Sequence, residues 1–165
     1  MNDESSTGQA ANRTADRSAE RPWAVTEPGQ LVGKGHNAGD LLEAWKWTVL
    51  DEAKGRLVVE AHLPEQLKNP KGHLFGGFTP TYVDFVSLFT VHAADRDKDP
   101  TGPRNFLNTI NMRCDYFEPV TGPTFTIEGE VVNQRGLIYL VSTKFRLGET
   151  MLAHAITTLR TAEPM

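Results

Sequence analysis

The residue types that could do chemistry are gathered in one stretch, Asn69-Pro-Lys-Gly-His-Leu-Phe-Gly-Gly-Phe-Thr-Pro-Thr-Tyr-Val-Asp84. They are the carboxylate of Asp84, the paired glycines Gly76 and Gly77, and Asn69 ahead of a proline. Residues 69–77 read as a loop, because Asn-Pro is a turn signal and the glycines allow close backbone approach. From about Phe78 to Ala94 the chain reads as a helix, with Gly77 or Thr79 as N-cap and Pro80 in the first turn, where its missing N–H is harmless. Phe78, Tyr82, Val83, Phe85, Val86, Leu88, Phe89, Val91 and Ala93 surround nearly all of that helix. A helix apolar on all sides is buried, and Asp84 and His92 within it argue against a membrane span. A carboxylate in such a helix needs a partner or a perturbed pKa. Two readings of Asp84 follow: a structural acid tied to a hydroxyl or a backbone N–H, or a catalytic acid or base. Gly76 and Gly77 have two readings as well. They make a tight turn, or they present backbone N–H groups at a helix start, where the dipole favours negative charge.

The rest of the chain must position that stretch. Its 165 residues suggest one domain, and 39% hydrophobic with 23% charged residues is an ordinary globular composition. A net charge of −4 and a pI near 5.7 argue against a nucleic-acid or membrane surface. Cys114 is the single cysteine, so no intrachain disulfide forms. The polar start lacks the apolar core of a secretory signal, and a cytoplasmic location is expected. His36, His62, His73, His92 and His154 show no metal-ligand spacing.

Residues 1–22 hold no Val, Ile, Leu, Phe, Tyr or Trp. Such a segment cannot offset its ordering entropy, so a disordered tail is expected. Residues 23–44 read as an N-terminal extension or linker, and 45–165 as the folded domain. Gly33-Lys-Gly-His-Asn-Ala-Gly39 resembles a phosphate loop superficially, but it lacks a preceding buried strand and a Gly-Lys-Ser/Thr ending, so a plain loop is expected. Trp45, Trp47 and Val49 alternate with polar neighbours, and Leu57 and Val59 follow after Asp51–Gly55. These two runs read as a hairpin, and Pro64–Leu67 as a helical turn. After the helix a charged stop, Asp95–Pro103, leads into four strands near 105–117, 124–133, 137–147 and 151–161. Short Gly-containing breaks make them antiparallel. The expected class is α+β: a long central helix wrapped by a curved antiparallel sheet of about six strands.

These residues and this order resemble the hotdog-fold thioesterases, in particular the phenylacetate-pathway (PaaI-like) and 4-hydroxybenzoyl-CoA thioesterase group. The resemblance covers roughly Trp45 to Arg160. Its core is Asn69-Pro-x-Gly72-x-x-Phe75-Gly76-Gly77 with Asp84 on the following helix; the family pattern is Asn-Pro-x-Gly-x-x-His-Gly-Gly. Asn111-Met-Arg-Cys-Asp-Tyr-Phe-Glu-Pro119 is similar to the family strand that ends in an aromatic-x-x-Pro, and Leu152–Leu159 to its last strand. Phe75 stands where the family carries its histidine, which removes any mechanism that needs an imidazole there. His73 is a loop histidine.

The resemblance implies hydrolysis of an acyl-CoA thioester with no cofactor or metal; Phe75, Phe78 and Tyr82 have two readings, an apolar pocket for an aromatic or medium-chain acyl group, or plain core. It implies catalytic roles for Asp84, as general base or nucleophile, and for Gly76 and Gly77, as oxyanion donors with Gly76 the better placed. Asn69 would orient water or thioester, or else only make an Asx-type turn before Pro70. Phe75 and Thr109 are the substrate-binding candidates. Thr109 falls where some relatives carry a hydroxyl that supports the acid, and is otherwise a plain strand threonine. Lys68, Lys71, Arg104, Arg113 and Arg135 are candidate cations for the CoA phosphates. Seven helical residues separate Gly77 from Asp84 by about 10 Å along the axis, so one reacting carbon cannot touch both on one helix. A second, antiparallel copy of the helix solves this, and a homodimer or dimer of dimers is expected. Two rival readings remain: a hotdog acyl-thioester hydratase or dehydratase, and a non-catalytic acyl-CoA binding protein.

Overall fold

The computed structural model describes residues 27–95 and 107–161. The expected tail 1–22, Arg104 and nearly all of the charged stop after the helix lie outside the described residues. A four-residue helix, α1 (Ala38–Leu41), precedes the hairpin β1 (Thr48–Ala53) and β2 (Arg56–His62). The long helix α2 (Thr79–Asp95) follows, then β3 (Leu107–Tyr116), β4 (Thr124–Arg135), β5 (Ile138–Leu147) and β6 (Thr150–Thr161). All strand pairs are antiparallel in one open six-stranded sheet, ordered β1-β2-β4-β5-β6-β3. Helix α2 lies against it and touches every strand. This is the hotdog arrangement expected from the sequence.

Burial explains why α2 seats where it does. Tyr82, Val83, Phe85, Val86 and Val91 are buried against the sheet. Trp47 stacks on Tyr82 with ring centroids 5.4 Å apart, and Tyr82 meets Phe125 at 5.5 Å. The Tyr82 hydroxyl leaves this apolar cluster only to donate to the His62 carbonyl at 2.9 Å. Two polar residues on the buried side of α2 are satisfied: Thr90 Oγ1 donates to the Val86 carbonyl, and Ser87 meets Thr143 of β5 at 3.2 Å. Gly129 of β4 makes this approach possible. A Cβ there would lie 2.1 Å from Thr90 Oγ1.

Four local readings are corrected. The first strand does not begin at Trp45; Ala44–Lys46 is a 3-10 turn, entered through Glu43 in the left-handed region at φ 51°. The Trp45/Trp47 alternation marks burial of Trp47, whose indole N–H donates to the Leu42 carbonyl at 3.3 Å. The expected turn at Asp51–Gly55 shrinks to Lys54-Gly55, because β1 is an edge strand whose charged Asp51 and Glu52 face water while their backbone still pairs with β2. Helical winding starts earlier than the expected N-caps: Gly76–Phe78 is a 3-10 turn entered from the extended Phe75, and Thr79 is already helical. Finally, α2 is not covered all round. Thr81, Asp84, Leu88 and His92, at helical spacing, form a half-buried stripe.

The stretch expected as extension or linker is described from Glu27 on. Gln30 bridges to Thr48, and Val32 and Leu42 are buried in the same core as Trp47 and Tyr82.

Candidate active site

Asp84 sits on the half-buried stripe of α2, in contact with β3, the edge strand at the opposite side of the sheet from β1. Beside it β3 is irregular: Thr109 pairs with Leu159 and Asn111 with Thr158, so Ile110 is an extra, unpaired residue. A bulge re-aims the side chains next to it. Thr109 Oγ1 donates to Asp84 Oδ1. Two candidates that are 25 positions apart are thereby joined in one short contact.

The glycine turn lies at the other end of this geometry. Gly76 and Gly77 are exposed and open the winding that becomes α2, with Phe78 N–H returning to the Phe75 carbonyl at 2.9 Å. The first N–H groups of a helical turn have no acceptor within it, so those of Gly76 and Gly77 are not used by the turn's own bonding and lie at the helix end where the dipole favours negative charge. The Gly76 carbonyl is doubly held. It accepts the Thr79 N–H, and it accepts the Tyr116 hydroxyl at 3.0 Å. Phe75 is 56% exposed, its ring 6.0 Å from Phe78 and 2.8 Å from where a Gly77 Cβ would stand. Next to Gly76 lies a cleft of about 230 Å³, lined among others by Leu74, Thr79, Tyr116, Phe117 and Ala153.

Asn69 closes its own loop. Its Oδ1 accepts the N–H groups of Lys71 at 2.9 Å and His73 at 3.2 Å. Its backbone N–H donates to the His73 carbonyl at 2.7 Å. This is the Asx-type turn considered from the sequence. Among the candidate cations, Lys68 pairs with Glu65 and Arg113 with Asp115 at 3.0 Å. Lys71 and Arg135 are exposed. The Gly33–Gly39 segment is a loop only as far as Asn37, since Ala38 and Gly39 open α1; the Gly35 N–H that a phosphate would need already donates to both oxygens of Asp40 at 3.0 Å.

Tyr116 belongs to this site and was not singled out from the sequence. Its signal was present in the aromatic-x-x-Pro of Tyr116–Pro119, which read only as a mark of the fold. Burial and the neighbouring Cys114 push its phenol above the ordinary value, and a hydrogen bond with Thr79 draws it partly back. The Cys114 thiol is also raised, by burial and by Asp115. Tyr82, by contrast, is core and not pocket wall; burial and Glu43 push its phenol far up.

The sequence model of the thioesterase superfamily matches residues 71–154. No curated protein matches the sequence significantly. Among solved structures, a phenylacetic acid degradation-related protein from Ralstonia eutropha superposes with a TM-score of 0.64 at 15% identity, over 77% of this chain and 91% of the other. Zebra fish thioesterase superfamily member 2 gives 0.61 at 24% identity, over 72% and 83%. A thioesterase protein from Streptococcus pneumoniae, solved with coenzyme A, gives 0.61 at 18% identity, over 71% and 89%. These likenesses are of fold. No described helix is long and apolar enough to cross a membrane.

Proposed function

The chain belongs to the thioesterase superfamily, and on that premise we propose that it hydrolyses an acyl-CoA, with an aromatic or medium-chain acyl group, to the free acid and CoA. The observation that carries the reading is the Asp84–Thr109 pair on the half-buried stripe of α2. Thr109 holds one carboxylate oxygen and leaves the other to take a proton from water, or to attack the thioester carbon itself. The oxygen of the attacked carbonyl becomes negative, and the N–H groups of Gly76 and Gly77 are the donors suited to receive it. Asn69, its carbonyl tied into the loop, has its amide group held ready to orient water or thioester. Phe75 and Phe78 offer an apolar, aromatic wall in the place where an imidazole would stand.

The site needs a second copy. About 10 Å of helix axis lies between Gly77 and Asp84, whereas the reacting carbon must lie near both. The half-buried stripe of α2 and the exposed residues Thr109 to Asn111 of β3 form a face on which an antiparallel copy sets its Gly76–Gly77 turn against Asp84. The Streptococcus pneumoniae relative, solved with coenzyme A, supports CoA as the carrier.

The test is release of free CoA from a panel of aromatic, short-chain and medium-chain acyl-CoAs, with sedimentation of the same sample. Free thiol and acid in equal amounts, from a dimer or larger, support the reading. A product heavier by one water marks a hydratase. Tight binding without turnover marks a binding protein, and a fully active monomer removes the shared site.

A further inference from the structure

The Gly76–Gly77 peptide is held from behind by a side chain outside the loop and outside α2. A trans peptide sets its C=O and the next N–H in opposite directions in one plane. The Gly76 carbonyl and the Gly77 N–H therefore turn as one unit. Two donors fill the carbonyl's two lone pairs: the Thr79 N–H, which is part of the helix itself, and the Tyr116 hydroxyl at 3.0 Å. Tyr116 comes from β3, the strand that also supplies Thr109 to Asp84. Its ring edge stands 3.7 Å from where a Gly76 Cβ would lie, so ring and hydroxyl both bear on the turn.

We propose that Tyr116 is a positioning residue for the oxyanion site: its O–H donates to the Gly76 carbonyl, fixes the plane of the 76–77 peptide and strengthens the Gly77 N–H as a donor. Two effects act in the same direction. A glycine pair has the freest backbone in the chain, and a second bond to its carbonyl restrains the plane before substrate arrives. Hydrogen bonds in series also polarise one another, so a carbonyl that accepts two bonds makes the N–H on the far side of its peptide more acidic. Neither effect requires Tyr116 to touch the substrate, and no proton is transferred. Burial and Cys114 raise the phenol, which keeps the O–H protonated as a donor past the pH at which a free tyrosine loses it. The inference rests on the hydrolase reading above and adds a residue to it.

The experiment uses the full chain. Tyr116→Phe removes only the hydroxyl. A donor weakened rather than deleted should lower kcat by about tenfold, below the loss seen when an oxyanion donor is removed outright. KM and the affinity for a non-hydrolysable thioether analogue should hold, because the bond matters in the transition state. A second protein carries 3-fluorotyrosine at position 116. It keeps the hydroxyl but ionises at lower pH, so kcat near neutrality is retained and its alkaline fall moves to lower pH. A merely structural tyrosine would not move that limb. A folded Tyr116→Phe with wild-type kcat, or an alkaline limb unmoved by fluorination, overturns the inference alone. A wild-type protein that releases no CoA from any thioester overturns the hydrolase reading and the inference with it. If Tyr116→Phe fails to fold, the fluorotyrosine protein decides.

Discussion

Asp84→Asn separates chemistry from structure at the centre of the site. The substitution keeps shape, and an amide oxygen still accepts the Thr109 hydroxyl. Asp84 is half-buried on α2 and makes no ion pair among the described residues, so stability should change by no more than about 1 kcal/mol, the scale of one hydrogen bond. What is lost is the negative charge and the capacity to take a proton or attack carbon. General acid–base catalysis contributes about 10²–10⁴-fold, so single-turnover CoA release should fall by at least about 100-fold, or roughly 2.7 kcal/mol of barrier. Thr109→Val is the companion change. It removes a bond to a charged group, worth about 1.5–3 kcal/mol where desolvated, and towards the low end here because both groups meet water. The expected loss in kcat is about tenfold. Thr109 acts only through the carboxylate, so adding Thr109→Val to Asp84→Asn should cost little more than Asp84→Asn alone. The assays are single-turnover CoA release and thermal unfolding of all four proteins. A well-folded Asp84→Asn that releases CoA at near the wild-type rate would remove Asp84 from the mechanism. A variant that loses stability first, with turnover kept, would make the pair a structural clasp.

Other perturbations should read out in stability. Gly129→Ala puts a methyl group 2.1 Å from Thr90 Oγ1, a clash with the helix side chains that should destabilise by about 1–3 kcal/mol, while Gly129→Ala combined with Thr90→Ala should recover part of the melting temperature, since Val86 Cγ1 and the residue-90 Cβ stay close. Removing residues 1–22 should leave the melting temperature unchanged. Removing 1–44 also takes away buried Val32 and Leu42, at about 1.5–3 kcal/mol each, and should prevent a cooperative transition. Cys114 and Tyr116 have folded pKa values raised above their ordinary 9.0 and 10.0, so above pH 9 the unfolded chain loses protons first. Urea midpoints should therefore be level below that pH and decline as pH rises through the folded values; a midpoint that climbs between pH 9 and 11 would contradict the assignment.

Much of the fold was legible before any coordinates. The alternation in β4, β5 and β6, broken at Gly136 and Gly148, could pair only as consecutive hairpins, and these are the strands found to within two residues at either end. The helix start after Gly76-Gly77 and the place of Asp84 on that helix were legible too, because glycine and proline punctuate the chain there. The errors fell where a local signal competed with burial. Trp45 and Trp47 alternate like a strand, yet Trp47 is a core anchor beneath Tyr82 and the ladder starts only at Thr48. Asp51 and Glu52 look like turn residues, yet an edge strand tolerates charge.

The sequence by itself determined the strands of the last three hairpin-linked runs, the long helix and the acid within it, since periodicity, turn residues and composition act over a few neighbouring positions. Only the tertiary structure decided the partners. It set β3 at the far edge beside β6, placed a bulge at Ile110, and so carried Thr109 to Asp84 and the Tyr116 hydroxyl to the Gly76 carbonyl. Those contacts span 25 and 40 positions. No local pattern encodes them, because they exist only after the chain has buried α2 and the order of strands has settled which edge lies beside it.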